Sequence, residues 1–298
     1  MASLKELKSR ISSVKNTQKI TRAMQMVAAA KLRKAQEAAE SARPYSERIR
    51  AVIGNLAASM GDGGGAPTLL VGTGKQDTVL LIVATADRGL CGGFNTNIVR
   101  KAREEIVALE RDGKTVKLYL IGKKGYDQLN RLYADKIVKY ISLKEERSLH
   151  AGIARAIGEE VTAMFDAGDF DVAKLVYANF RNVMEQDPVA QTIIPANASI
   201  DVSSDDAEVP DLNGAIYTYE PDEAGILRVL LPRSINTQIF SALLENQAGE
   251  MGSKMTAMDN ATRNAGDMID DLTLTFNRTR QAKITSELIE IISGAEAL

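Results

Sequence analysis

The sequence predicts an α/β protein: a long antiparallel coiled coil of N- and C-terminal helices, with a Rossmann-like α/β domain inserted between them. Three observations predict it. A heptad seam runs through most of the first 60 residues. A second seam starts at Met251 and runs toward the C-terminus. Between them, apolar strand-like runs alternate with helical patterns, the signature of a mostly parallel sheet covered by helices.

The N-terminal seam begins at Leu4, Leu7, Ile11 and Val14. It continues through Gln18, Thr21 and Gln25, then Ala28, Leu32, Ala35, Ala39 and Ala42. The polar trio weakens the seam, and the alanines beyond it let a partner helix come close. Pro44 predicts a kink or a short break, because proline lacks the N–H that an interior helical turn needs. The register resumes at Ile49, Ile53 and Leu56.

Residues 61–76, GDGGGAPTLLVGTGKQ, read as a flexible linker. They do not form a phosphate-binding loop. That motif would need glycine at Leu69 and serine or threonine at Gln76. Strands are expected at 78–86, 116–121, 137–143, 172–177 and 192–194, and helices at 95–111, 123–132 and 148–165, with Ser148 as the last helix's cap. An acidic turn follows at 203–211, then strands at 215–219 and 226–231.

Ser234 reads as the N-cap of the final helix, and Gly294 lies near its stop. Its seam, Met251, Met255, Met258, Thr262, Ala265, Ile269, Leu272 and Phe276, steps by four and three, which supercoils two helices left-handed. The spacing then shifts to Arg280, Ile284, Leu288, Ile291 and Ala295, a stutter that unwinds the coil locally. One helix from Ser234 to Gly294 would be roughly 90 Å long. Charges such as Asp259, Arg263, Asp267 and Asp270 exclude a membrane span there. The domain plan is therefore 1–60 helix, 61–77 linker, 78–232 α/β domain and 233–298 helix. A coil this long leaves much of itself without a partner from its own chain, which points to a larger assembly.

Composition narrows the chemistry. The chain of 298 residues has a formal net charge of −2, one Cys and one His. A single cysteine excludes an internal disulfide, and Cys91 with His150 alone makes a zinc site implausible. The N-terminus has no apolar core of a secretory signal, and its basic amphipathic pattern continues into the heptads, so it reads as mature structure. Charge is segregated. Residues 1–60 hold 12 Lys+Arg against 4 Asp+Glu, whereas 234–298 hold 5 against 9. A basic helix facing an acidic one favours their pairing. The surplus positive charge calls for an acidic partner, an anionic surface or solvent. Residues 1–44 contain no aromatic, so base stacking and nucleic-acid binding are not supported.

The loop ATADRGLCGGFN at 84–95 sits where ligands bind in parallel sheets, between a strand end and the next helix. Gly89, Gly92 and Gly93 do not make the dinucleotide pattern. Cys91 would lie near a helix N-terminus, but nothing in the sequence brings His150 to it as a base. The adjacent acids Glu104–Glu105 and Glu159–Glu160 point in different directions on their helices and read as solvated faces.

Three stretches carry a resemblance: RISSVKNTQKITRAMQMVAAAKLRKAQ at 10–36, DRGLCGGFN at 87–95, and MTAMDNATRNAGDMIDDLTLTFNRTRQAKITSELIEIISGAEAL at 255–298. The last contains I-T-x-E-x-x-E-x-x-x-G-A-x-A at Ile284, Thr285, Glu287, Glu290, Gly294, Ala295 and Ala297. Together they resemble the gamma subunit of the F-type ATP synthase, in order and over the whole chain. The cysteine-bearing segment of the plant chloroplast type is absent, so light-redox regulation is not expected.

The resemblance implies a rotor that makes no covalent step. The paired helices would enter a ring of alpha and beta subunits, and the α/β domain would lie beside the epsilon subunit above the membrane ring of c subunits. Bearing and catch contacts fall on Arg22, Met24, Arg280, Gln281, Thr285 and Glu287. The contact loop to the catalytic subunits falls near Cys91, and the foot on the c ring on Tyr217, Tyr219 and Glu220. The resemblance implies no catalytic residue, cofactor or metal, no nucleic acid, and membrane contact only through the c ring. The expected location is peripheral, on the cytoplasmic face of a bacterial inner membrane. Met1 directly before the helix favours that over a mitochondrial source.

Two other readings compete. A nucleotide-binding α/β enzyme with coiled-coil arms would need a phosphate fingerprint. A membrane-surface tether would use the basic N-terminal helix.

Overall fold

The computed structural model describes residues 3–60, 66–146, 148–199 and 222–296. Two compact units emerge: Met1–Ala30 with Lys254–Leu298, and Lys31–Ser253. The first helix, α1 (Leu4–Met60), and the last, α6 (Glu223–Glu296), each contribute to both.

The first unit is an antiparallel helix pair. Ser3 Oγ accepts the Glu6 N–H at 3.2 Å and so caps α1. Gln18, Thr21 and Gln25 meet Thr262 and Asp259 in reverse order, which sets the direction and register. The seam positions from Leu4 to Ala28 are all buried or half-buried, as are those from Met255 to Phe276. The pattern holds because 3.5-residue spacing keeps one stripe facing the partner helix. Past Thr279 the expected seam ends. Arg280, Ile284, Leu288, Ile291 and Ala295 are all exposed. The register places Leu4 opposite about position 280, so α1 has no residues left to cover them.

The second unit is a three-layer α/β/α sandwich. Its sheet has the order β3-β2-β1-β4-β5, with β1 (Thr78–Ala84), β2 (Thr115–Ile121), β3 (Ile137–Ile141) and β4 (Val172–Phe180) parallel, and β5 (Gln186–Ile194) antiparallel to β4. Alternate residues of β1 point to opposite faces. Val79, Leu81 and Val83 pack with α3 (Phe94–Arg111) and α4 (Lys123–Tyr133). Leu80, Ile82 and Ala84 pack with α5 (Ala151–Asp166) and with Ile49, Ile53 and Leu56 of α1. Winding reverses at β1, which puts α3 and α4 on one face and α5 on the other.

α1 runs on through Pro44 without the short break that was one of the two expectations there. Four other expectations need correction. Residues 226–231, read as a strand, are helical, and α6 starts at Glu223 with Asp222 accepting the Gly225 N–H as cap. Ser234 is therefore mid-helix, 7% exposed, and accepts a hydrogen bond from Gln238 Nε2 at 3.3 Å. Residues 66–76 are built into the fold. They form the helical turn α2 (Thr68–Val71), with Leu69 and Leu70 buried, and Asp171 accepts Thr73 Oγ1 at 2.9 Å. The cap position of α5 is His150, not Ser148. The strand expected at 215–219 lies outside the described residues.

Candidate functional site

Three groups of residues carry the expected contacts. The first lies on α1, where Arg22 is exposed and Met24 half-buried beside the polar layer of the helix pair. That layer consists of Thr21 Oγ1 and Thr262 Oγ1 at 2.7 Å, Gln25 Nε2 donating to Asp259 Oδ1 at 3.0 Å, and Gln18 Nε2 donating to the Thr262 carbonyl at 3.4 Å.

The second group lies on the last turns of α6. Arg280, Gln281, Thr285 and Glu287 are all exposed. Thr285 Oγ1 donates to the Gln281 carbonyl at 3.0 Å, and Glu287 pairs with Lys283 at 3.5 Å. The threonines below repeat the device. Thr273, Thr275 and Thr279 donate to the carbonyls of Ile269, Asp271 and Thr275. A threonine bonded back to its own helix presents its methyl outward. Ile284, Leu288, Ile289, Ile291 and Ile292 add an apolar surface, with Ile291 72% exposed. Arg22 and Met24 do not join this group, because the antiparallel register sets them opposite about positions 259–261 of α6, roughly 30–40 Å back along the helix.

The third group is the 87–95 loop at the C-terminal end of β1. Its polar groups are tied inside the domain. Asp87 accepts from Lys123 N and Ser142 Oγ through Oδ1, and from Leu143 N through Oδ2, at 2.8–2.9 Å. Asn95 Oδ1 accepts the Ala86 N–H at 2.9 Å, and its Nδ2 donates to Cys91 Sγ at 3.1 Å. Thr85 Oγ1 accepts from Gly125 N at 2.8 Å, and a Cβ at Gly122 (φ 91°) would overlap the Thr85 carbonyl. Leu90 takes a left-handed conformation (φ 64°) and is 65% exposed, whereas Cys91 is buried. The loop thus offers Leu90 outward and keeps the thiol inside.

The geometry also places the residues that the enzymatic alternatives would use. Cys91 packs on the α3/α4 face and His150 starts α5 on the opposite face, so the sheet separates them. Glu105 is not a solvated acid. It bridges Lys101 and Lys174 at 3.0 Å each, and these bonds outweigh burial and hold its carboxyl below the ordinary value. Glu160 likewise accepts Tyr119 Oη at 2.7 Å and Lys139 Nζ at 2.8 Å, and burial beside it pushes the Tyr119 hydroxyl well up. Both acids are structural ties between helix and sheet. Among the described residues, no group of three or more His, Cys, Asp and Glu is placed to hold a metal ion. Tyr217, Tyr219 and Glu220, the expected foot, lie outside the described residues.

A polar groove of about 180 Å³ lies between α1, β4, β5 and α6. Arg43, Arg50, Tyr177, Gln191, Gln238 and Glu245 line it. Burial raises the Glu245 carboxyl above its ordinary value, partly offset by the Phe180 N–H and Arg43. Burial also pushes Tyr177 up to about 12.

A helix pair continuous with a three-layer α/β unit defines a class with solved counterparts. The chain of Euglena gracilis mitochondrial ATP synthase described as its rotor superposes with a TM-score of 0.67 at 17% identity, covering 94% of this chain and 98% of that one. The central stalk and c-ring structure of the Tetrahymena thermophila mitochondrial ATP synthase gives 0.63 at 24% identity, covering 81% and 99%. These likenesses show the fold. A family model described as ATP synthase matches residues 3–298. The ATP synthase gamma chain of Maricaulis maris is 61% identical over 298 residues, and that of Rhizobium rhizogenes 58%, each covering 100% of both chains. The chain belongs to the ATP synthase family, among its gamma chains, and is thus a subunit of an ATPase complex.

Proposed function

We propose that the chain is the central rotor of the F-type ATP synthase, a non-catalytic subunit that couples rotation of the c ring to the catalytic sites. The carrying observation is the last segment of α6, which outruns α1 and leaves a smooth apolar surface uncovered. A shaft turning inside a ring needs a surface without locking pairs. Threonines bonded to their own backbone and exposed Ile and Leu side chains provide one. In this reading Arg22, Met24, Arg280, Gln281, Thr285 and Glu287 are bearing contacts to the alpha and beta subunits. The loop around Cys91 touches the catalytic subunits through exposed neighbours such as Leu90. Tyr217, Tyr219 and Glu220 face the c ring, and the α/β domain meets the epsilon subunit. Nine basic side chains among residues 1–34, against Glu6 alone, suit acidic segments of the ring and steer contact without fixing it.

No helix among the described residues is long and apolar enough to cross a membrane. The chain is peripheral, and its proposed place is the cytoplasmic face of a bacterial inner membrane, held there through the c ring. The test is affinity isolation from solubilised membranes, with stoichiometry read by native mass spectrometry. One copy per three catalytic subunits, with ATPase activity, is expected. Recovery as a free oligomer would discard the rotor and return the tether or enzyme readings.

A further inference from the structure

Between Asn246 and Ser253, α6 is small and polar on the side that meets the sheet. Asn246 Oδ1 accepts the Ala178 N–H at 3.3 Å. Gly249 and Gly252 are both buried. A Cβ on Gly249 would stand 2.8 Å from Phe94 Cε2 and 3.4 Å from Gln186 Cγ. One on Gly252 would stand 3.5 Å from the Val183 Cα and carbonyl oxygen and 3.6 Å from Phe180 Cε2. Ser253 Oγ donates to Gln186 Oε1 at 3.2 Å, while Gln186 Nε2 donates to the Val183 carbonyl at 2.7 Å. Phe94, 3% exposed, is the first residue of α3 and follows Cys91-Gly92-Gly93 directly. Glycine is a poor helix former, so two glycines in an interior turn need a packing reason. Here they form a notch that receives a phenyl ring and the tip of the β4–β5 hairpin.

We infer that Phe94 and the hairpin tip (Phe180, Val183, Gln186) form a clasp on α6 at Gly249 and Gly252, fixing the 87–95 loop to the helix so that the two turn as one. Phe94, Gly249 and Gly252 are positioning residues, acting through the loop and the helix without touching a reacting group. Turning α6 by one residue within the clasp would drive Ala248 or Glu250 into the Phe94 ring and remove the Ser253 hydrogen bond. Close-packed interiors do not yield continuously to such a shift. The inference rests on the rotor reading, because only a turning subunit needs its loop locked to its shaft.

The test uses inverted membrane vesicles carrying the complete ATP synthase, with ATP hydrolysis and proton pumping measured together. Gly249→Ala is expected to lower pumping per ATP hydrolysed severalfold while hydrolysis continues, because overfilling the notch displaces the ring. Phe94→Leu shortens the opposing side chain, and combined with Gly249→Ala it is expected to restore the ratio. Ser253→Ala adds no bulk, so it keeps the test decisive if Gly249→Ala blocks assembly, and should lower the ratio more mildly. An unchanged ratio in both single variants, hydrolysis and pumping falling in parallel, or a double variant no better than Gly249→Ala alone would overturn the clasp. If the wild-type chain itself supported no pumping, the rotor reading would fall and the clasp with it. Normal wild-type pumping beside unaltered variants removes the clasp alone.

Discussion

The helix pair and the α/β unit hold themselves together by different means. In the α/β unit, Leu80, Leu81, Ile82, Leu118 and Leu120 are completely buried between two helix layers. In the helix pair, burial is a single stripe interrupted by hydroxyls and amides. Leu7, Ala28, Met258 and Ala265 are buried, while Ile11, Val14, Ile269 and Leu272 are only half covered. The lesson is that the helix pair need not be as well packed as the α/β unit. A narrow polar-interrupted seam specifies which residues face each other, and a deep apolar core supplies stability.

That contrast can be broken most sharply at Ile82. Ile82→Ala empties space between the layers and is expected to cost about 2–5 kcal/mol in denaturant unfolding. Leu272→Ala, in the half-covered seam, should cost about 1 kcal/mol. Equal losses at the two positions would erase the distinction.

The next effect is functional. Met24→Lys places a charge beside the polar layer and is expected to slow coupled synthesis by adding an ion pair between rotor and ring. It should leave the melting temperature nearly unchanged. Unaltered coupling in inverted vesicles would count against Met24 as a bearing contact.

Acid and base separate two carboxyls within the α/β unit. Glu245 has its pKa raised by burial, so its stabilising contribution is full below the ordinary value of 4.5 and is lost as pH rises through the folded value. Glu245→Gln should therefore raise stability at neutral pH and flatten the dependence. Glu105, lowered by Lys174 and Lys101, has the opposite sign. Its contribution is present above 4.5 and lost as pH falls through the folded value, and Glu105→Gln should weaken the fold at neutral pH. Unfolding curves across that range check both directions.

The smallest effect is expected in the polar layer. Thr21 and Thr262 each have a second partner in their own helix, the carbonyls of Gln18 and Met258. The double change Thr21→Val with Thr262→Val should shift stability by about 1 kcal/mol or less, in either direction. A larger loss would make the layer a principal support of the pair.

Much of this was legible in the sequence, for reasons that differ by region. The seam from Leu4 to Leu56 could be read because 3.5-residue spacing survives even where Gln18 and Gln25 replace apolar residues. Strands β1 and β2 were legible as continuous apolar runs, since both of their faces are buried. The start of α6 reads as a strand because ILRVLL has strand composition. The signal was Leu227, Leu231, Ile235 and Ile239, all buried at intervals of four, a helical stripe that crosses the proline. The 66–76 stretch reads as a linker by its glycines, whereas Leu69 and Leu70 bury themselves and anchor it. Long-range ties such as Phe94 against Gly249 have no local signature. Two glycines in a helix announce a close neighbour without naming it. The loop and the helix positions that carry the proposed contacts are marked only by family resemblance, since exposed Arg22 or Gln281 alone looks like any helix surface.

The uncovered end of α6 has a consequence for supply. A chain with Ile284, Leu288, Ile289, Ile291 and Ile292 in water carries a sticky patch whenever its partners are missing. The isolated subunit is expected to self-associate as its concentration rises, and trimming residues 284–298 should abolish that in sedimentation experiments without lowering the melting temperature. In the cell, the rotor reading predicts that the same patch ties the useful amount of this chain to the amount of its partners, with surplus copies expected to cluster and be cleared while assembled ones persist.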